Sequence, residues 1–174
     1  MLQRMSRSHA ETERRYDTLR NLALEMAQKG LSSEFKLTQI TPDALFATKN
    51  WEKASGRIYD WEWLPNYNHH RSRYPKRFEV ALWENGNLIA LSMGRPTYFK
   101  SGLRLDVVEG MPKSLGPRSS VTGKVLIAYE VYAGLIGADH VRIMNPVNMD
   151  VRLYYERQGY TYNHKGDYLY KGLL

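Results

Sequence analysis

Asn148 and Tyr155 stand seven residues apart in the run NPVNMDVRLYYERQGY. In a helix, seven steps of about 100° fall roughly 20° short of two turns, so both side chains project from nearly one face. Asn148 also suits a helix-capping position, where its side chain accepts a backbone N–H. One face thus offers an amide and a phenol, and a phenol of ordinary pKa near 10 can give a proton to a leaving thiolate of similar basicity. A terminal helix that simply uses Tyr154 and Tyr155 as core and rim aromatics fits the same spacing.

A second constellation precedes it. Arg118-Ser119-Ser120-Val121-Thr122-Gly123 forms a polar turn between a strand and a helix. The first N–H groups of a helix lack internal partners and carry partial positive charge, and Arg118 and Lys124 add full charges there. The result is a seat for an anion, a feature shared by many strand-to-helix turns. It is not a nucleotide P-loop: six residues rather than four separate Gly116 from Gly123, and Lys124 is followed by Val125.

These residues need elements to hold them. Leu19, Leu22, Ala23 and Met26 recur at helical spacing, predicting an amphipathic helix over about 10–29 stopped by Gly30. Thr41-Pro42-Asp43 reads as a helix start. The stretch from Trp51 to Tyr74 has no clear period and reads as loop or short helix. Two apolar runs, Phe78–Trp83 and Leu88–Met93, flank Glu84-Asn85-Gly86-Asn87, a strong hairpin signal. Leu103–Val108 is a further strand. Val125, Tyr129, Tyr132 and Ile136 stripe a long helix closed by Gly137. Val141–Met144 reads as a strand, Asn148–Gln158 as a helix stopped by Gly159, and Tyr160–Tyr170 as a strand pair. The order predicts a mixed α/β fold, one sheet covered by helices.

The 174 residues suit one domain, with 43% hydrophobic and 25% charged residues excluding a disordered chain. With no cysteine there is no disulfide, thiolate metal site or cysteine acyl-enzyme. The N-terminus lacks an apolar core, so it does not read as a secretory signal, and no stretch is long and apolar enough for a membrane span. A cytoplasmic protein is expected. The net charge of +7 is concentrated in two blocks, residues 66–77 (Arg71, Arg73, Lys76, Arg77) and 95–124. Such blocks attract polyanions or phosphorylated cofactors, or are solvated loop.

Taken together, Arg118–Gly123, the long helix, the short strand and Asn148–Tyr160 resemble the GNAT superfamily of acyl-CoA-dependent N-acyltransferases. The resemblance runs from about Phe78 to the end. The run from Asn148 through Tyr155-Glu156-Arg157 to Gly159-Tyr160 is its most specific part, and Val121 stands where the family's turn has its first glycine. The resemblance implies a mixed sheet splayed between its fourth and fifth strands, here Leu103–Val108 and Val141–Met144, in a single domain over 1–174. It implies acetyl-CoA as acyl donor, held by Val107, Val108, the turn from Arg118 through Ser119, Ser120, Val121, Thr122 and Gly123 to Lys124, and by Asn148 and Tyr155. It implies direct attack by an amine, with Tyr155 as acid, which needs no cysteine.

Glu109 or Asp106, near the end of the fourth strand, could take the amine's proton directly or through water, or could simply be solvated. The segment 42–77 varies within the family and would face the acceptor; Trp61, Trp63, His69 and His70 are the candidates for lining its pocket, and packing is the competing reading. A zinc site is not expected, because the histidines lack ligand spacing. The expected acceptor is an amine of a small molecule or protein. A nucleic-acid-directed or aminoacyl-tRNA-directed modifier, motivated by the 66–77 block, and a non-catalytic binding protein are the alternatives. The first helix could pack on its own domain or on a second copy.

Overall fold

The computed structural model describes residues 2–99 and 101–173. Its centre is one seven-stranded sheet, in the order β1-β2-β3-β4-β5-β7-β6. The strands are β1 (Phe35–Thr38), β2 (Phe78–Glu84), β3 (Asn87–Pro96), β4 (Gly102–Gly110), β5 (His140–Met144), β6 (Thr161–Asn163) and β7 (Tyr168–Gly172). The helices are α1 (Leu2–Gln28), α2 (Pro42–Glu52), α3 (Trp63–Arg73), α4 (Thr122–Leu135) and α5 (Met149–Arg157). The mixed α/β expectation holds.

Local chemistry sets several boundaries. Asn85 (φ 48°) and Gly86 (φ 82°) form the β2–β3 turn, both left-handed as the Asn-Gly pair predicts. The Thr41 side chain accepts the Ala44 N–H and Pro42 follows it, starting α2. Asn148 caps α5 by accepting the Val151 N–H at 3.0 Å. α1 begins earlier than expected, and it buries Arg20, Ala23, Leu24 and Ala27 while Leu22 and Met26 stay partly exposed. Arg20 alters the packed face because it is fully bonded: to Glu13, to Gln39 and to the Pro75 carbonyl. β1 and the length of α3 were not expected; their apolar residues are too few to show a period on their own.

Two apolar layers sandwich the sheet. On one side α1 and α4 cover it, with Phe78 stacked on Tyr132 and Tyr129 among the fully buried side chains. On the other, α2 and α3 cover β2–β4 with Trp51, Trp63, Tyr67, Leu91 and Met93, and this layer holds no residue of β5, β6 or β7. No described helix is long and apolar enough to cross a membrane.

β4 decides where a site can form. It pairs in parallel with β5 only from Gly102↔His140 to Leu105↔Ile143, although β4 runs on to Gly110. A register shift at Met93/Gly94 puts an extra residue, Asp106, into β4. Beyond it the two strands part and leave their facing backbones to line a gap.

Candidate active site

The gap is a cleft of about 940 Å³. Asp106 to Gly110 of β4 with Met111 after it, and Ile143 and Met144 of β5 with Asn145 to Val147 after it, form its two sides. Thr122 at the start of α4, Tyr155 of α5 and the loop Arg57-Ile58-Tyr59 close it. These are distant stretches that the splayed strands bring together.

Tyr155 is buried, its ring edge-on to Tyr154 and Tyr160, and burial is the main reason its hydroxyl is pushed up to about 12; a hydrogen bond with Thr122 partly offsets this. A phenol so shifted stays protonated through neutral pH. It keeps its proton there as a weaker acid than an ordinary phenol.

The first helical N–H of α4 to close a bond is that of Val125, to the Val121 carbonyl at 3.1 Å. The N–H groups of Thr122, Gly123 and Lys124 therefore have no partner within the helix. A side chain at Gly123 would meet nothing within 4 Å, so the approach is open. Val121 has a negative φ and its side chain is buried, so the missing glycine obstructs nothing at the backbone. Arg118 lies flat against Gly110 and donates to the Met111 carbonyl (2.7 Å), which fixes the loop before α4. Lys124 donates to the Ser120 carbonyl (2.9 Å) and lies over the Phe35 ring.

Ser119 is different. Its N–H (3.1 Å) and Oγ (2.5 Å) both donate to the Glu84 carboxylate, and these two bonds hold the Glu84 carboxyl below its ordinary value. The chain's own anion thus takes part of the seat, and the open donors are those of residues 122–124.

Asn148 does not line the cleft, because its side chain is committed to the α5 cap. Ser119, Ser120, Val121, Gly123 and Lys124 also lie outside the lining, while Val107, Val108, Arg118 and Thr122 lie within it. Tyr59 donates to the Val108 carbonyl at 3.0 Å.

The two carboxylates of β4 differ. Glu109 is buried, receives a forked pair of bonds from Arg57 (2.9 and 3.1 Å) and accepts the Trp63 indole N–H at 2.7 Å. Both its oxygens are occupied, and it anchors the Arg57 loop and α3 to β4. Asp106 faces the cleft and is paired with Arg104 (2.5 Å) and Arg95 (3.4 Å), with His70 at 3.8 Å. Burial would raise its carboxyl, but His70 and the two guanidiniums outweigh burial and hold it below its ordinary value.

None of Trp61, Trp63, His69 and His70 lines the cleft. Trp63 is buried on Glu109, Trp61 packs against Trp63 and Tyr59, His70 is buried beside Asp106 and Tyr74, and His69 is exposed on α3. Their replacements in the wall are Arg57, Ile58 and Tyr59. A basic residue and a tyrosine in an irregular loop gave no periodic signal. Among the described residues no group of three or more His, Asp or Glu could hold a metal ion.

The basic blocks also come apart. Arg77 is buried, bonded to Glu79 and Glu13. Arg95 and Arg104 sit on the sheet face away from α4, and Lys100 lies outside the described residues. Only Lys113, Arg118 and Lys124 remain near the turn.

A seven-stranded mixed sheet with β4 and β5 parallel, flanked by helices, is a fold shared with solved acetyltransferases of the GNAT family, and this chain has that fold. It is similar to Ard1 from Thermoplasma volcanium, at 11% identity over 81% of this chain and 99% of that one, with a TM-score of 0.62. It is similar to a spermidine N-acetyltransferase mutant from Vibrio cholerae, at 14% identity over 81% and 95%, TM-score 0.57. An aminoglycoside 6′-N-acetyltransferase solved with coenzyme A matches at 12% identity over 79% and 97%, TM-score 0.56. No protein-family model matches the sequence, and no curated protein matches it.

Proposed function

We propose that the protein is an acetyl-CoA-dependent N-acetyltransferase acting by direct attack of an amine. The observation that carries this is the meeting of three features in one cleft: parted β4 and β5 backbones, Thr122 at the N-terminus of α4, and the protonated Tyr155 phenol. These residues fit the donor: the amides at the start of α4, from Thr122 onward, would hold its diphosphate, the cleft-lining backbone of Val107 its extended arm, and Arg118 would keep the intervening loop in place. Bound acetyl-CoA supplies an activated acetyl thioester.

The chain's own part is proton traffic and placement. Tyr155 holds a proton in the cleft for the departing sulfur; general acids of this kind contribute about 10²–10⁴-fold. Glu109 is a positioning residue, since Arg57 and Trp63 saturate it. Asp106 and Glu109 both line the cleft, but Arg57 and Trp63 occupy both Glu109 oxygens, so Asp106 is the proton acceptor of the two that sequence offers. Its low proton affinity is matched from the other side, because the guanidiniums of Arg57, Arg95 and Arg104 favour the neutral form of a nearby amine. Loss of the amine's proton is then a property of the field around it as much as of one base.

Acetyl-CoA at a hundredfold excess over its Kd is expected to raise Tm by about 5–10 °C. A panel of amine acceptors should then release thiol in the presence of the protein. No thermal shift with acetyl-CoA would remove this reading.

A further inference from the structure

On the face of the sheet away from α4, three arginines stand side by side. Arg95 of β3 pairs across to Arg104 of β4, and Arg104 pairs across to Arg142 of β5. With strands about 4.8 Å apart, the three span roughly 10 Å. Each uses its Nε: Arg95 and Arg104 on Asp106, Arg142 on the His140 ring at 2.8 Å. Their terminal N–H groups have no hydrogen bond to the described residues. The carboxylates against this face are Asp106 and, at its edge on His140, the exposed Asp139.

Aromatic rings alternate with these charges. Arg95 lies 4.1 Å over Tyr74 and Arg142 lies 4.5 Å over Tyr168, while Tyr170, opposite Arg142, is 38% exposed. At the turn between β3 and β4, at the same end of the sheet, Tyr98 and Phe99 are 92% and 86% exposed and pack edge to face. The α2–α3 layer stops at β4, so no helix of that layer covers the β5 and β7 part of this face. Asp106 stands two residues from Arg104 and lines the cleft, so face and cleft are continuous.

We propose that this face binds single-stranded nucleic acid, with the arginines on the phosphodiester backbone and the exposed rings stacking on bases. Unpaired guanidinium donors interleaved with exposed aromatic faces are the two components such binding needs, and stacking tolerates any base. An acidic peptide would match the charge but leave Tyr98 and Phe99 without a flat partner. Because the face runs into the cleft, the strand, or an amine attached to it, is the acceptor; that last step rests on the acetyl-transfer reading, whereas the binding does not.

The test uses the full chain and fluorescein-labelled 15-nucleotide single strands, one RNA and one DNA, read by anisotropy. The expected result is binding of at least one strand in 50 mM salt that weakens with log[salt]. Arg142→Gln should weaken it about fivefold and flatten the salt slope by about 0.7. Tyr98→Ala/Phe99→Ala should weaken it about fivefold or more while leaving the slope unchanged. A preference for RNA or for DNA identifies which strand is bound. Absence of binding to both, equal binding of a duplex or of polyglutamate, or unchanged affinity in both variants overturns the proposal. Both variants are expected to retain the thermal shift with acetyl-CoA, showing that they fold. Binding of the strand without that shift in the unmodified protein would sink the acetyl-transfer reading and leave this one standing; the shift without strand binding would do the reverse.

Discussion

Tyr155 combines a buried ring with a hydroxyl at the cleft, and its proton affinity follows from that placement. With its pKa pushed up to about 12 by burial, the donor form persists across the whole range in which amines become nucleophilic. Activity should therefore rise with pH as the acceptor loses its proton and show no alkaline fall before about pH 10, measured as kcat/KM. Tyr155→Phe keeps the ring packing and removes the donor. It should lower kcat by about 10²-fold or more with the acetyl-CoA thermal shift unchanged. An unaltered kcat would take Tyr155 out of the acid role.

Among elements, the turn before α4 is under a constraint that its own sequence hides. Glu84 belongs to the β2–β3 hairpin, 35 residues upstream, yet it binds both donors of Ser119. A carboxylate beside the proposed seat for a diphosphate would repel that ligand while bracing the loop. Glu84→Gln retains hydrogen-bonding capacity and removes the charge. It is expected to tighten coenzyme A binding about two- to fivefold, as an exposed charge pair warrants. Calorimetry showing weaker binding instead would mean that the bracing outweighs the repulsion. β4 shows the same dependence on distant partners: its extra residue, Asp106, exists because β3 shifts register at Gly94. A side chain at Gly94 would run into the Arg104 carbonyl and the Tyr129 ring, which is why glycine stands there.

The molecule as a whole is tied together by a buried ionic network. Arg20 of α1 binds Glu13, Glu13 binds Arg77, and Arg77 binds Glu79, which also accepts the Ile40 N–H and the Tyr67 hydroxyl. Burial, then Glu79, raises Tyr67 to about 12. The network joins α1, β2, α3 and the segment before α2. Glu79→Ala leaves Arg77 buried with one partner fewer and should cost about 3 kcal/mol, a fall in Tm of roughly 6–12 °C. Burial opposes ionisation of Glu13, but Arg77 and Arg20 more than offset it, so its folded carboxyl lies below the ordinary 4.5. Its contribution is complete above its unfolded value and is lost as pH falls through the lower folded one. Asp106 behaves likewise below 3.8. Thermal melts from pH 6 to pH 3 should show stability falling from about pH 4.5 downward, with the Glu79→Ala protein less stable throughout.

By itself the sequence determined what short-range chemistry controls. The Asn85-Gly86 turn, the Thr41 and Asn148 caps, the stops at Gly137 and Gly159 and the stripe of α4 each depend on neighbours within a few residues, and each is where the sequence places it. The place of Tyr155 on α5 was legible for the same reason. Tertiary structure decided which charges are free. Arg71 to Arg77 form a cluster along the chain, yet Arg77 is consumed by the core; Arg95, Arg104 and Arg142 are scattered along the chain and become neighbours through strand register. The wall of Arg57, Ile58 and Tyr59 and the neutralising of Glu109 also follow from contacts spanning some 50 residues. A side chain's type is local, but its solvation and partners depend on what folding brings beside it, and those two quantities set whether a charge anchors the fold or meets a ligand.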